Sequence, residues 1–202
     1  MYRYIFFLVF FSFFSLTSCQ RLAIGTQAPP FKATSLDKEA FDLSALRGKK
    51  VLLSFMRNVG CPVCNLHTHE LLAYADSLKA LGVEILMIHQ SPIETIKKYL
   101  AQDEREWSFQ FISDTEQRLY KLYKVKPSFL RWVSSAWRGA LAKRKKGEKL
   151  YKTKIPQEGK RGMLGADFLL DEQGKLIAVN YCRFVGDHLP PANIYKQFKE
   201  NK

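Results

Sequence analysis

Two hydrophobic runs constrain the fold more than anything else in the chain. "VLLSFMR", Val51 to Arg57, and "VEILMIH", Val83 to His89, are apolar almost without interruption, and each precedes a helical pattern. A strand that is apolar on both sides must be covered on both faces, which a helix-flanked sheet can do and an isolated hairpin cannot. After the first run, Leu71, Leu72, Tyr74, Ala75, Leu78 and Leu81 recur at helical spacing, predicting a helix over 62–81 that Gly82 stops. After the second, "SPIETIKKYLAQ" offers Ser91 as cap, Pro92 at the first helical position and Glu94 three residues after the cap. "SFQFIS" reads as a short third strand, and Asp114 is placed to cap a helix in "TEQRLYKLYK". Beyond a long interruption, "ADFLLD" and "KLIAVNY" form two strands joined at Glu172-Gln173-Gly174, and "PPANIYKQFKEN" closes the chain as a helix. The lead-in over 21–50 is extended, with a hairpin. This order predicts an α/β fold with a mixed central sheet flanked by helices, and a helical insertion at about 126–165 before the C-terminal hairpin.

At the junction of the first strand and the first helix lies "VGCPVC", with Cys61 and Cys64 separated by two residues. Unsatisfied amide N–H groups and the positive end of the dipole stabilise a thiolate at a helix start, and Pro62 suits the first turn because it has no N–H to donate. Cysteines three apart can close a disulfide with little backbone movement, so Cys61 can attack while Cys64 resolves. Arg57, at the end of the strand, is a candidate thiolate stabiliser, or an ordinary solvated arginine. The same stretch continues as C-x-x-C-x-x-H-x-H through His67 and His69, residue types that zinc or copper accepts. On one continuous helix His69 points away from Cys64, so the reading favours a redox dithiol, with no metal or organic cofactor. His67 becomes an accessory residue near the dithiol and His69 a solvated one. A metal carrier using Cys61, Cys64 and a histidine is the rival reading. Cys182 is a buried spectator or a third redox partner, and Asp187 and His188 are expected to cap the last helix.

Residues 1–18, "MYRYIFFLVFFSFFSLTS", carry one charge and then an apolar, aromatic run that ends on small polar residues, the pattern of a secretory signal. Leu16-Thr17-Ser18-Cys19 resembles a bacterial lipobox, which implies a lipidated Cys19, a tether over 19–24 and one domain over 25–202 on the periplasmic face of a membrane. Nearly half the residues are hydrophobic and only four are cysteine, so a full core can form without a disulfide scaffold.

The strand with "FMRNVGCPVC", followed by "FISDTEQRLYKLYKV", "GADFLLDEQGKLI" and "GDHLP", resembles the peroxiredoxin-like branch of the thioredoxin-fold superfamily. That branch is the alkyl hydroperoxide reductase and thiol-specific antioxidant group, and the C-x-x-C proteins related to selenoprotein U are the most similar subgroup. The resemblance covers about 25–198. It implies a thioredoxin-like fold and a thiol-disulfide oxidoreductase or thiol peroxidase with antioxidant activity. Its substrate would be a peroxide or a disulfide, and a reducing thiol partner would restore the dithiol. Laying the peroxiredoxin pattern P-x-x-x-T-x-x-C over this chain puts Arg57 on the proline, Cys61 on the threonine and Cys64 on the peroxidatic cysteine. The thioredoxin and selenoprotein U comparison instead makes Cys61 the nucleophile, which we follow because Cys61 is nearer the helix start. Gly165 stands where thioredoxin folds usually place a cis-proline.

Between Arg131 and Arg161 eleven lysines and arginines face only Glu148 and Glu158. Leu130, Val133, Trp137 and Leu141 fall on one helical face, with Trp132 nearby. A basic amphipathic segment suits an anionic membrane surface; alternatively its apolar face packs on the domain and its lysines are solvated. Nucleic acid is not expected as a partner of an exported chain that lacks a binding motif. A further class, a non-catalytic membrane-associated scaffold, would rest on this insertion alone.

Overall fold

The computed structural model describes residues 21–37, 39–103, 107–150 and 154–201; the expected signal segment and Cys19 lie outside the described residues. The central sheet runs β5 (Gln110–Ser113), β4 (Val83–His89), β3 (Lys50–Phe55), β6 (Ala166–Leu170), β7 (Leu176–Tyr181). The first three strands are mutually parallel, β6 is antiparallel to β3, and β7 is antiparallel to β6, so the sheet is mixed as expected. Leu53 of β3 lies opposite Leu86 of β4 and Phe168 of β6, which centres the apolar runs on one another.

The period of two along β3 and β4 sorts their side chains into two layers. Leu52, Val83, Ile85 and Met87 meet α1 (Pro62–Leu72), α2 (Ala75–Ala80), α3 (Ile93–Leu100) and α7 (Pro191–Glu200) through Leu71, Leu78, Ile96 and Phe198. Val51, Leu53, Phe55, Leu86 and Ile88 meet Tyr120 of α4 (Arg118–Leu122), then Tyr123 and Phe31. Full burial of such side chains is worth about 1.5–3 kcal/mol each, which is why both faces of the sheet are covered. The lead-in hairpin forms from β1 (Lys32–Thr34) and β2 (Ala40–Asp42).

Three local expectations are corrected. The helix over 62–81 is two helices, because Tyr74 turns the chain with an N–H bond to the Leu71 carbonyl at 2.9 Å. Pro92 rather than Ser91 stands at the cap of α3, because the Ser91 hydroxyl is taken by the Val59 N–H at 3.1 Å. Gln117 is left-handed, so α4 starts only at Arg118; Asp114 still caps it, accepting from the N–H groups of Arg118 and Leu119 at 2.9 and 2.8 Å. The insertion breaks into α5 (Phe129–Ser134), a short 3-10 turn and α6 (Ala140–Glu148), with left-handed Gly139 at the joint.

Candidate active site

The loop that carries the dithiol is pinned on every side. The Tyr120 hydroxyl donates to the carbonyls of Met56 and Ile88, tying the ends of β3 and β4 together. Gln90 donates to the Arg57 carbonyl through both its backbone N–H and its side chain, each at 3.1 Å. Asn65 donates from its side chain to the Val59 carbonyl at 2.7 Å, and the Cys61 N–H reaches the Asn58 carbonyl at 3.1 Å. Few backbone groups in the turn between Arg57 and Cys61 are left to relax, so the sulfurs are held in place by protein hydrogen bonds.

Cys61 occupies the cap position of α1 in an extended conformation, and Pro62 opens the helix. The Cys64 thiol donates to the Cys61 sulfur at 2.8 Å, and Arg57 Nη1 donates to the same sulfur at 3.4 Å. The Cys64 hydrogen bond does most to lower the Cys61 pKa; burial opposes it, and the Arg57 charge and the N–H groups of Cys64 and Val63 add to it, bringing the thiol down to about 6. Cys64 moves the other way: burial pushes its thiol up, and the neighbouring Cys61 pushes it further. The pair is therefore asymmetric, an anionic sulfur beside one that keeps its proton. Alkylation of Cys61 is expected to rise through a midpoint near pH 6, and Arg57→Gln to move that midpoint upward, as read from iodoacetamide rates across pH.

The insertion roofs this site. α6 packs along α1, and the backbone of Ile155 and Pro156 lies against Gly60, where any Cβ would fall on the Pro156 carbonyl. Asn58 donates from its side chain to the Glu158 carbonyl at 2.8 Å, and the Lys160 N–H donates to Gln90 Oε1 at 2.9 Å. Residues 155–160 thus form a strap across the dithiol loop, leaving Cys61 and Cys64 each 1% exposed. Gly60→Ala is expected to displace the strap and speed labelling of Cys61 by a bulky maleimide several-fold, with little effect on a small alkylating agent.

A second buried cluster lies under α1. Asp167 of β6 accepts from His188 Nδ1, Ser54 Oγ and the Leu189 N–H, each at 2.8 Å, and from the Asn180 side chain at 3.2 Å. Burial opposes ionisation of Asp167, but the His188 charge and these hydrogen bonds outweigh it and hold the carboxyl well below the usual range. His188 is affected in reverse: burial lowers its pKa, and Asp167 and Cys182 together raise it further than burial lowers it. The His67 ring stacks on His188 at 4.6 Å, and burial, with the His188 charge, brings His67 down to about 3, so it is neutral. Cys182, one residue past β7, is buried beside His188, and burial pushes its thiol up.

His188 is therefore not a helix cap, as expected, but the partner of Asp167; nor is Asp187, which binds the Arg183 N–H and guanidinium, each at 2.9 Å. The His188 ring fills the space beside Gly165, whose φ of +109° and contact with that ring leave no room for a side chain. No described peptide bond is cis. His69 turns its ring edge to Trp107 at 5.7 Å and is half-buried rather than solvated. Among the described residues, those with ligand atoms within metal reach of one another are His67, Asp167 and His188. The four donors that Asp167 accepts occupy its oxygens, and nearly parallel stacked rings do not converge their in-plane lone pairs on one point. Sequence reasoning missed Asp167; its signal was a lone carboxylate inside the apolar strand "ADFLL".

A family model described as the AhpC/TSA family matches residues 24–179. The chain belongs to the AhpC/TSA family. At that level it is an oxidoreductase of the peroxiredoxin-like type with a thioredoxin-like fold. A Haemophilus influenzae protein provisionally named as a peroxiredoxin, bcp, is 27% identical over 104 residues, 52% of this chain and 66% of that protein, just under two thirds of its length. A Chlorobium tepidum structure provisionally named as the thiol:disulfide interchange protein DsbE covers 89% of this chain and 97% of its own, with a TM-score of 0.61 and 19% identity. A thiol peroxidase from Chromobacterium violaceum covers 90% and 89% respectively, with a TM-score of 0.64 and 14% identity. At these identities the two structures support the fold of the AhpC/TSA chain.

Proposed function

We propose that this AhpC/TSA chain is a dithiol oxidoreductase that reduces a small hydroperoxide, with Cys61 as nucleophile and Cys64 as resolving cysteine. The observation that carries the reading is the Cys61 sulfur at the start of α1, receiving hydrogen bonds from Cys64 at 2.8 Å and Arg57 at 3.4 Å. The Cys61 thiolate attacks a peroxide oxygen; an S–O bond forms, the O–O bond breaks, and the other oxygen leaves as alkoxide or hydroxide and takes a proton. Arg57 offsets the charge that develops on the departing oxygen. Once Cys61 is a sulfenic acid, the anion that added to burial in keeping Cys64 protonated is gone. The Cys64 sulfur then attacks Cys61, an S–S bond forms, and water leaves with the Cys64 proton. An external thiol partner supplies the two electrons that reopen the disulfide. The step needs no metal or organic cofactor.

Small substrates are favoured because the strap leaves only 1% of Cys61 exposed, which admits a peroxide more readily than a protein disulfide. Thiol-disulfide exchange is the second reading, favoured by the cysteine that stands where the peroxiredoxin pattern has a threonine hydroxyl. We further propose that the chain sits on the periplasmic face, tethered through a lipidated Cys19, a reading supported by the signal-like run over 1–18 and by Leu16-Thr17-Ser18-Cys19. No helix among the described residues is long and apolar enough to cross a membrane. Stoichiometric hydrogen peroxide added to the reduced protein is expected to consume both Cys61 and Cys64 thiols faster than an equal amount of a protein disulfide does. The reverse order would favour exchange, and resistance to both oxidants would sink the reading.

A further inference from the structure

Hydrophobic side chains in the insertion are placed opposite to those in the rest of the fold. Phe129, Leu130, Val133, Trp137 and Leu141 are 66%, 82%, 38%, 81% and 57% exposed, within thirteen consecutive residues. Within that stretch Trp132 and Ala140 turn inward to the core. Phe129, Leu130, Trp137 and Leu141 therefore do not pack on the domain. Large exposed apolar side chains grouped this closely along the chain point to an interaction site rather than ordinary surface.

Directly beside it lies a pocket of about 230 Å³ whose lining includes Arg21, Lys124, Lys126, Ser128 and Arg131, and no carboxylate. Arg131 belongs to α5, so one helix carries both the exposed apolar residues and a wall of the cationic pocket. Arg21 also stacks over the Tyr181 ring at 4.7 Å, which fixes where the chain enters the fold.

We propose that this face docks on an anionic phospholipid bilayer, with Arg21, Lys124, Lys126 and Arg131 taking lipid phosphates and Leu130, Trp137 and Leu141 entering the interfacial layer. Charge chooses the occupant: a lipid phosphate complements the pocket, whereas a second copy of the chain would bring the same cations against it. Bulky apolar tips beside the cations suit the headgroup boundary, where such side chains are buried and lysine and arginine reach phosphate. The inference goes beyond the tether proposed at Cys19. A tether two residues from Arg21 spans at most about 7 Å and brings this end of the domain to the bilayer, but it does not by itself put Leu130, Trp137 and Leu141 into the lipid.

The test uses the full chain in vesicles containing brominated lipids, comparing wild type with Trp137→Phe so that the difference reports Trp137 alone. Strong Trp137-dependent quenching is expected in phosphatidylglycerol vesicles, falling at least about fivefold in phosphatidylcholine vesicles. The triple variant Lys124→Gln, Lys126→Gln, Arg131→Gln should weaken the quenching interaction by roughly a hundredfold on anionic vesicles. These groups lie outside the dithiol site, so peroxide consumption by the triple variant should stay at the wild-type level, which shows that it is folded. Equal quenching on both lipids would leave only the tether and overturn the proposal. So would an absence of Trp137-dependent quenching, a vesicle-free dimer that shields Trp137, or displacement from vesicles by nucleic acid that binds the same face.

Discussion

Cys61→Ser loses peroxide turnover by at least about a thousandfold, in the range that removal of a covalent nucleophile causes elsewhere. The serine hydroxyl fits the same cap position but holds its proton at neutral pH, so Arg57 at 3.4 Å and the N–H groups at the start of α1 have no anion to stabilise. Cys64→Ser leaves the first chemical step in place and blocks resolution, so it gives a single turnover and then stops. The contrast between the two variants, measured as peroxide consumed per chain, separates attack from resolution. If Cys61→Ser kept full activity toward both peroxide and disulfide substrates, the assignment would fail.

Asp167→Ala destabilises the fold by about 3–5 kcal/mol, the cost of removing one partner from a buried charged pair. The variant leaves His188 Nδ1 and the Leu189 N–H without their acceptor and takes one of two acceptors from Ser54 Oγ and the Asn180 side chain. For a domain of this size that corresponds to a fall in melting temperature of roughly 6–20 °C. The pH dependence follows from the directions of the two shifts. Asp167 is depressed in the folded state, so its contribution is present above about pH 4 and is lost as pH falls through the folded value. His188 is raised, so its contribution is complete below about pH 6.5 and is lost only as pH rises through its elevated folded value. Asp167→Asn is expected to flatten the acid limb of the stability profile, as measured by urea midpoints from about pH 5 down to about pH 2.

The sheet and the dithiol were legible because their signals are local. Val51 to Phe55 and Val83 to His89 declare buried strands by composition, and Cys61 falls where the first of them hands over to a helix. The break at Tyr74 was hidden because the apolar spacing continues across it into α2. The Asp167, His188 and His67 cluster was hidden for another reason: its members come from β6, the loop before α7 and α1, and only the sheet order brings them together. The sequence neighbours of His188, a proline-opened helix, suggest a cap, while its physical partner lies 21 residues away. The strap was equally invisible, since Ile155 to Lys160 cover Gly60 and Asn58 through backbone carbonyls and N–H groups that carry no side-chain signature. In the insertion, the sequence left open whether the apolar face packs on the domain, and Leu130 and Trp137 do not.

The most direct test of the central claim asks which sulfur receives the peroxide oxygen. Cys64→Ser and Cys61→Ser, each reduced, exposed to one equivalent of hydrogen peroxide and trapped with dimedone, are analysed by mass spectrometry of the peptide containing residues 61–64. The account predicts a sulfenic acid adduct on Cys61 in Cys64→Ser and almost none on Cys64 in Cys61→Ser. Adduct formation on Cys64 with Cys61 unmodified would place the peroxidatic sulfur where the peroxiredoxin pattern puts it and contradict the account.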